Sequence, residues 1–79
     1  MHMALAFVLI STATAKEHEV YDTLMKVVEL SELYPLFGEY DFIAKIEAKN
    51  EDDIGNVVVN RIRRLEGVAD TKTLTVVRL

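Results

Sequence analysis

The order of sheet-like and helical segments predicts an α+β fold of the βαββαβ type, an antiparallel four-stranded sheet with two helices on one face. Four runs are apolar or alternating over strand lengths, and two stretches repeat their apolar residues at helical spacing. A chain of 79 residues has room for one core only, so these segments must share it.

The first run, Ala4 to Ile10, is apolar on both alternating sets: Leu5, Phe7 and Leu9 on one side, Ala6, Val8 and Ile10 on the other. Such a strand is expected to be covered on both faces. Thr14-Ala-Lys-Glu17 fits a capping box. After it Val20, Leu24 and Val27 recur at helical spacing with Tyr21, Met25 and Val28 beside them, which predicts a helix from about Lys16 to Val28. The stretch LSELYPLF favours a strand, but Pro35 cannot donate to a ladder and therefore assigns it to a sheet edge or a bulge. Asp41 to Lys49 places Phe42, Ala44, Ile46 and Ala48 on one face and Asp41, Ile43, Lys45 and Glu47 on the other, a strand with one mostly polar side.

Asn50-Glu-Asp-Asp53 supplies an N-cap and an acidic first turn, and Ile54, Val57, Val58, Ile62 and Leu65 then form an apolar stripe. Arg61, Arg63 and Arg64 suit the closing turns of that helix, and Gly67 suits its stop. The final TKTLTVVRL reads as the closing strand. This order matches the ferredoxin-like sandwich, with strands one and three central and strands two and four at the edges. Two helices cover one face only, so the apolar side of the first strand needs another cover. A second copy pairing sheet to sheet is the simplest one, and a dimer is the expected minimal unit.

Composition narrows the function. There is no cysteine, hence neither a disulfide nor a thiolate metal site, and no cofactor is expected. No apolar run approaches the roughly 20 residues that span a bilayer, so the expectation is a cytoplasmic protein with no membrane partner. Met1 and His2 precede a second methionine and look like a cloning remnant, with Met3 as the start and the domain running over residues 4–79. The formal charge of −4 argues against nucleic acid as a direct partner. Catalysis finds little support, and the protein is expected not to be an enzyme. His18 has no partner at ligand spacing, and Glu39 and Asp41 share a side only in a flat turn.

Three groups are candidates for binding, each with a plain structural alternative. In Gly38-Glu39-Tyr40-Asp41 the glycine either satisfies a hairpin, with Asp41 bonding its own turn, or lets a ligand carboxylate approach backbone N–H groups. At the start of the second helix, Asp53 or its neighbour Asp52 either caps the helix or receives an ammonium group. Gly55 nearby suggests close packing against something. Thr71 and Thr73 are either ordinary strand residues or hydroxyls lining a polar cleft.

Read whole, GEYDFIAKIEAKNEDDIGNVVVNRIRRLEGVADTKTLTVVRL resembles the effector-binding (RAM) domain of the Lrp/AsnC regulator family. The most specific parts are the glycine-x-tyrosine-aspartate segment before a strand and the helix ending LEGV ahead of a T-x-T strand. Members normally carry a helix-turn-helix domain ahead of this module, so the chain looks like a stand-alone form. The resemblance implies dimers formed by pairing sheets and rings of dimers, often octamers. It also implies an amino-acid effector between neighbouring dimers and co-assembly with full-length regulators of the family. It places the effector site at Gly38, Glu39, Tyr40, Asp41, Asp53, Thr71 and Thr73. The alternative is a structural oligomerisation module that binds no metabolite.

Overall fold

The computed structural model describes residues 3–79; Met1 and His2, read as a cloning remnant, lie outside the described residues. The elements run β1 (Ala4–Thr12), α1 (Glu17–Leu24), β2 (Leu30–Pro35), β3 (Phe42–Ala48), α2 (Glu51–Val57) and β4 (Val68–Thr75). A π-helical turn, Val58–Ile62, continues α2. The strands form one antiparallel sheet in the order β2-β3-β1-β4. This is the ferredoxin-like arrangement, with the first and third strands central and Pro35 on an edge strand.

The alternation of β1 explains the layers. Ala6, Val8 and Ile10 are fully buried on the helix side, together with Phe42, Ala44 and Ile46 from β3. Val20 and Leu24 of α1 close over them, as do Ile54 and Val57 of α2 and Val58 and Ile62 of the π-helical turn. The opposite side of β1 is only half-buried. There Phe7 lies opposite Lys45 and Leu74, and Leu9 opposite Ile43 and Lys72. An apolar centre flanked by charge is thus left open on the face without helices.

Several boundaries differ from expectation. The capping box at Thr14 does not form: Ala15 turns through a left-handed φ of 65°, which makes Lys16 the cap residue and Glu17 the first helical position. A capping box needs its glutamate at the third position, so this one is out of register. The helix also ends at Leu24. Lys26 N–H donates to Thr23 O at 3.1 Å and Val27 N–H to Leu24 O at 3.0 Å, a tighter three-residue pattern that closes the last turn. Val27 is still buried, whereas Met25 and Val28 face outward. The last strand starts at Val68 and ends at Thr75, not at Leu79. Val76 N–H makes a last bond to Leu5 O, and the ladder between β4 and β1 ends there.

Gly67 behaves as the stop that its position suggested. Its φ is 96°, its carbonyl accepts from Ala13 N–H at 2.8 Å, and a Cβ there would lie 2.8 Å from Val20 Cγ2.

Candidate effector-binding site

The loop between β2 and β3 is closed at its base by Leu36 N–H donating to Asp41 O at 2.8 Å. Asp41 N–H donates in turn to Ile10 O at 2.9 Å. The structural alternative had the Asp41 carboxylate bonding its own turn. It reaches across to the end of β1 instead, where Oδ2 accepts from Thr12 N–H at 2.7 Å and from Thr12 Oγ1 at 3.0 Å. The strand order explains the difference, because β1 runs beside β3 and delivers Thr12 to the start of that strand. Thr12 carried no sequence signal, since its role depends on a contact 29 positions away. Gly38 has a φ of 151° and open space where a Cβ would be, and Glu39 is exposed while Tyr40 is half-buried.

The helix-start cluster is built differently. Asn50 caps α2 by accepting from Asp53 N–H at 2.8 Å, and Glu51, Asp52 and Asp53 fill the first turn. Asp52, not Asp53, lines a cavity of ≈ 380 Å³ with Ala4, Lys49, Asn50 and Thr75. Gly55 meets nothing within 4 Å, so no packing inside the chain accounts for the glycine.

The register places these groups at two ends of the sheet. Thr71 lies opposite Ile10, which itself pairs with Phe42, so Thr71 shares the Asp41 end, two strands away. Thr73 lies opposite Val8, further along the strand, and is exposed. Asp53 follows the far end of β3, a separation of roughly 20 Å at 3.3 Å per residue. One amino acid cannot touch both Asp41 and Asp53 of a single chain.

Two further features lie beside the loop. An apolar cavity of ≈ 270 Å³ opens between the start of α1 and the loop stems, lined by Glu17, His18, Tyr21, Pro35, Asp41 and Phe42. At its floor the rings of Tyr21 and Phe42 stack with centroids 5.8 Å apart. Phe37, which follows Leu36 at the loop base, is fully exposed.

On the open sheet face Lys45 Nζ meets Glu32 Oε2 at 3.1 Å, and Tyr34 O–H donates to Glu32 Oε1 at 2.7 Å. The Tyr34 hydroxyl, and then Lys45, hold the Glu32 carboxyl below its usual range. Glu32 in turn raises both Tyr34 and Lys45. Among the described residues no group of three His, Cys, Asp or Glu side chains is placed to hold a metal. Among the described residues no helix is long and apolar enough to cross a membrane.

Residues 5–79 match the sequence profile of the Lrp/AsnC ligand binding domain. The chain belongs to that family. It is 36% identical over 75 residues to the HTH-type transcriptional regulator FL11 of Pyrococcus furiosus, a match covering 95% of this chain and 49% of the relative. The chain therefore spans about half the length of the curated relatives it matches, and those relatives are named as transcriptional regulators, not enzymes. Among solved structures, FFRP-DM1 superposes with a TM-score of 0.86 at 34% identity, covering 94% of this chain and 99% of that one. The transcriptional regulator NMB0573 of Neisseria meningitidis, solved as a complex with L-Met, has a TM-score of 0.83 at 21% identity, covering 95% of this chain and 50% of that one. At that identity the likeness is one of fold.

Proposed function

We propose that the chain is a small-molecule sensor that binds an amino-acid effector between copies of itself and tunes transcription of amino-acid metabolism by assembling with itself or with full-length Lrp/AsnC regulators. The observation that carries this reading is the open backbone at Gly38 beside Asp41, within a chain matched almost throughout by a ligand-binding domain. N–H groups of the loop between Gly38 and Tyr40 receive the effector carboxylate, and an acidic side chain receives its ammonium. Because Asp41 and Asp53 lie at opposite ends of the sheet, an Asp53 that shares a ligand with the loop comes from a different copy, or Asp41 supplies the acid beside its own loop. Thr71 stands at the loop end and is the hydroxyl best placed to join it, whereas Thr73 lies deeper along the strand. The L-Met complex of the N. meningitidis relative supports an amino acid as the ligand class. The open sheet face supports dimers by sheet pairing, since Leu5, Phe7 and Leu9 of β1 with Ile43 and Leu74 are too apolar to be left in water. The cytoplasm is the compartment that suits such a sensor.

The second reading, an assembly module without a metabolite, is favoured by one observation: Asp41 already has two partners in Thr12. Calorimetric titration with each common amino acid separates the two. The sensor reading predicts binding of at least one amino acid and a loss of tenfold or more in Asp41→Asn, which keeps an acceptor for Thr12 but not the charge. Heat-silent titrations with the whole set would leave the assembly module.

A further inference from the structure

Aromatic surface and unspent carboxylate meet in the apolar cavity between the start of α1 and the loop stems. We infer that this cavity binds an arylalkylamine, a small ligand with an aromatic body and one positive charge, at a site separate from the N–H groups of the loop.

The cavity suits the body of such a ligand. Its floor is the pair of Tyr21 and Phe42 rings, stacked with centroids 5.8 Å apart and planes 25° from parallel. Phe42 is buried in the core, Tyr21 is half-buried against it, and Pro35 adds an apolar wall. The space of ≈ 270 Å³ exceeds the about 150 Å³ that already accepts a benzene ring, so a phenyl group with a two-carbon arm fits. Water gains little from so apolar a lining, having few polar partners there. An entering ring gains an aromatic surface to stack on, and the faces of the same rings attract a cation.

The mouth decides the sign of the charge. Among the described residues that line it, Glu17 and Asp41 are carboxylates, and none is lysine or arginine. Neither acid is fully spent inside the chain. Glu17 opens α1, but its neighbour Lys16 pairs with Glu19 at 3.4 Å instead. Both Thr12 bonds to Asp41 fall on Oδ2, which leaves Oδ1 an acceptor for a further donor. A ligand carboxylate at this mouth meets two like charges, whereas an ammonium meets two opposite ones.

This cavity and the effector loop are neighbours with different requirements. Gly38, Glu39 and Tyr40 are not among its lining, so an amine needs none of the N–H groups that a carboxylate requires. Asp41 is the residue that the two share.

Calorimetric titration with phenethylamine tests the inference, beside ethylamine, which keeps the charge and drops the ring, and phenylacetate, which keeps the ring and reverses the charge. Phenethylamine is expected to bind, and ethylamine to bind roughly 10- to 100-fold more weakly for the lost ring. Phenylacetate should be weaker than phenethylamine on the order of tenfold, because its charge is opposed at a mouth open to solvent. In a Glu17→Gln/Asp41→Asn chain the gap between amine and acid should close while the contribution of the ring is kept. Two-dimensional NMR locates the ligand, with shifts expected to centre on Tyr21 and Phe42. Shifts centred elsewhere overturn the assigned cavity. Phenylacetate binding as tightly as phenethylamine overturns the charge assignment, and a chain that takes up no phenethylamine overturns the site itself. None of the three probes is an α-amino acid, so failure here and failure of the effector reading are separate results.

Discussion

Two acidic turns bracket β3, Gly38-Glu39-Tyr40-Asp41 before it and Asn50-Glu51-Asp52-Asp53 after it. Their compositions are alike, yet their backbones need different things. After β3 a helix begins, so the free N–H groups of its first turn consume the Asn50 side chain and favour the acids that follow. Before β3 no helix begins. Asp41 ties two strands together, and Phe37 to Glu39 stand exposed with no internal task that the fold requires of them. An acidic cluster thus points to a ligand only after the local backbone has taken its share. By that standard the first turn is the stronger candidate.

The largest expected effect lies at the clamp. Asp41→Ala leaves Thr12 N–H and Oγ1 without their charged acceptor and should destabilise the fold by about 2–3 kcal/mol in chemical denaturation. Asp41→Asn should recover much of that. If Asp41→Ala is as stable as the parent, the carboxylate is not spent on the fold and the contrast between the turns grows sharper. Asn50→Ala should cost about 1 kcal/mol, the usual loss of a helix N-cap, and leave effector binding unchanged. A binding defect in that variant would break the comparison by giving the second turn a ligand role. Gly55→Ala should stabilise by up to about 1 kcal/mol, because a Cβ there meets open space and alanine is the better helix former. A loss of assembly in Gly55→Ala would instead show a neighbouring copy packed against the glycine.

The smallest effect concerns pH and the open sheet face. Glu32 titrates below its usual 4.5 in the folded chain, so its contribution is present above that value and is lost as the pH falls through the lowered one. Lys45 and Tyr34 are raised above 10.5 and 10.0, so theirs is present below those values and lost as the pH rises through the raised ones. Denaturation midpoints should form a shallow plateau between these limits, and Glu32→Gln should flatten its acid side.

Much of the fold was legible because periodicity reports it directly. The alternation of β1 and β3, the stripe Ile54-Val57-Val58-Ile62, the edge position of Pro35 and the stop at Gly67 all follow from local residue chemistry. Element ends were less legible, because they depend on neighbours. β4 stops at Thr75, where its pairing with β1 ends, although the apolar run continues to Val77, and Thr14 loses its cap to a left-handed turn at Ala15. The π-helical turn at Val58–Ile62 left no pattern, since its stripe reads like that of an ordinary helix. At the site, the residue types of Gly38 and Asp41 were readable, but the Thr12 clamp, the cavity at Tyr21 and the distance to Asp53 arise only from register.

Native mass spectrometry of the purified chain, with and without the common amino acids, tests the central claim most directly. A sensor that holds its effector between copies should show discrete ligand masses on assemblies and none on the monomer. Ligand bound to the monomer would contradict a shared site, and assemblies that take up nothing would contradict the sensor itself.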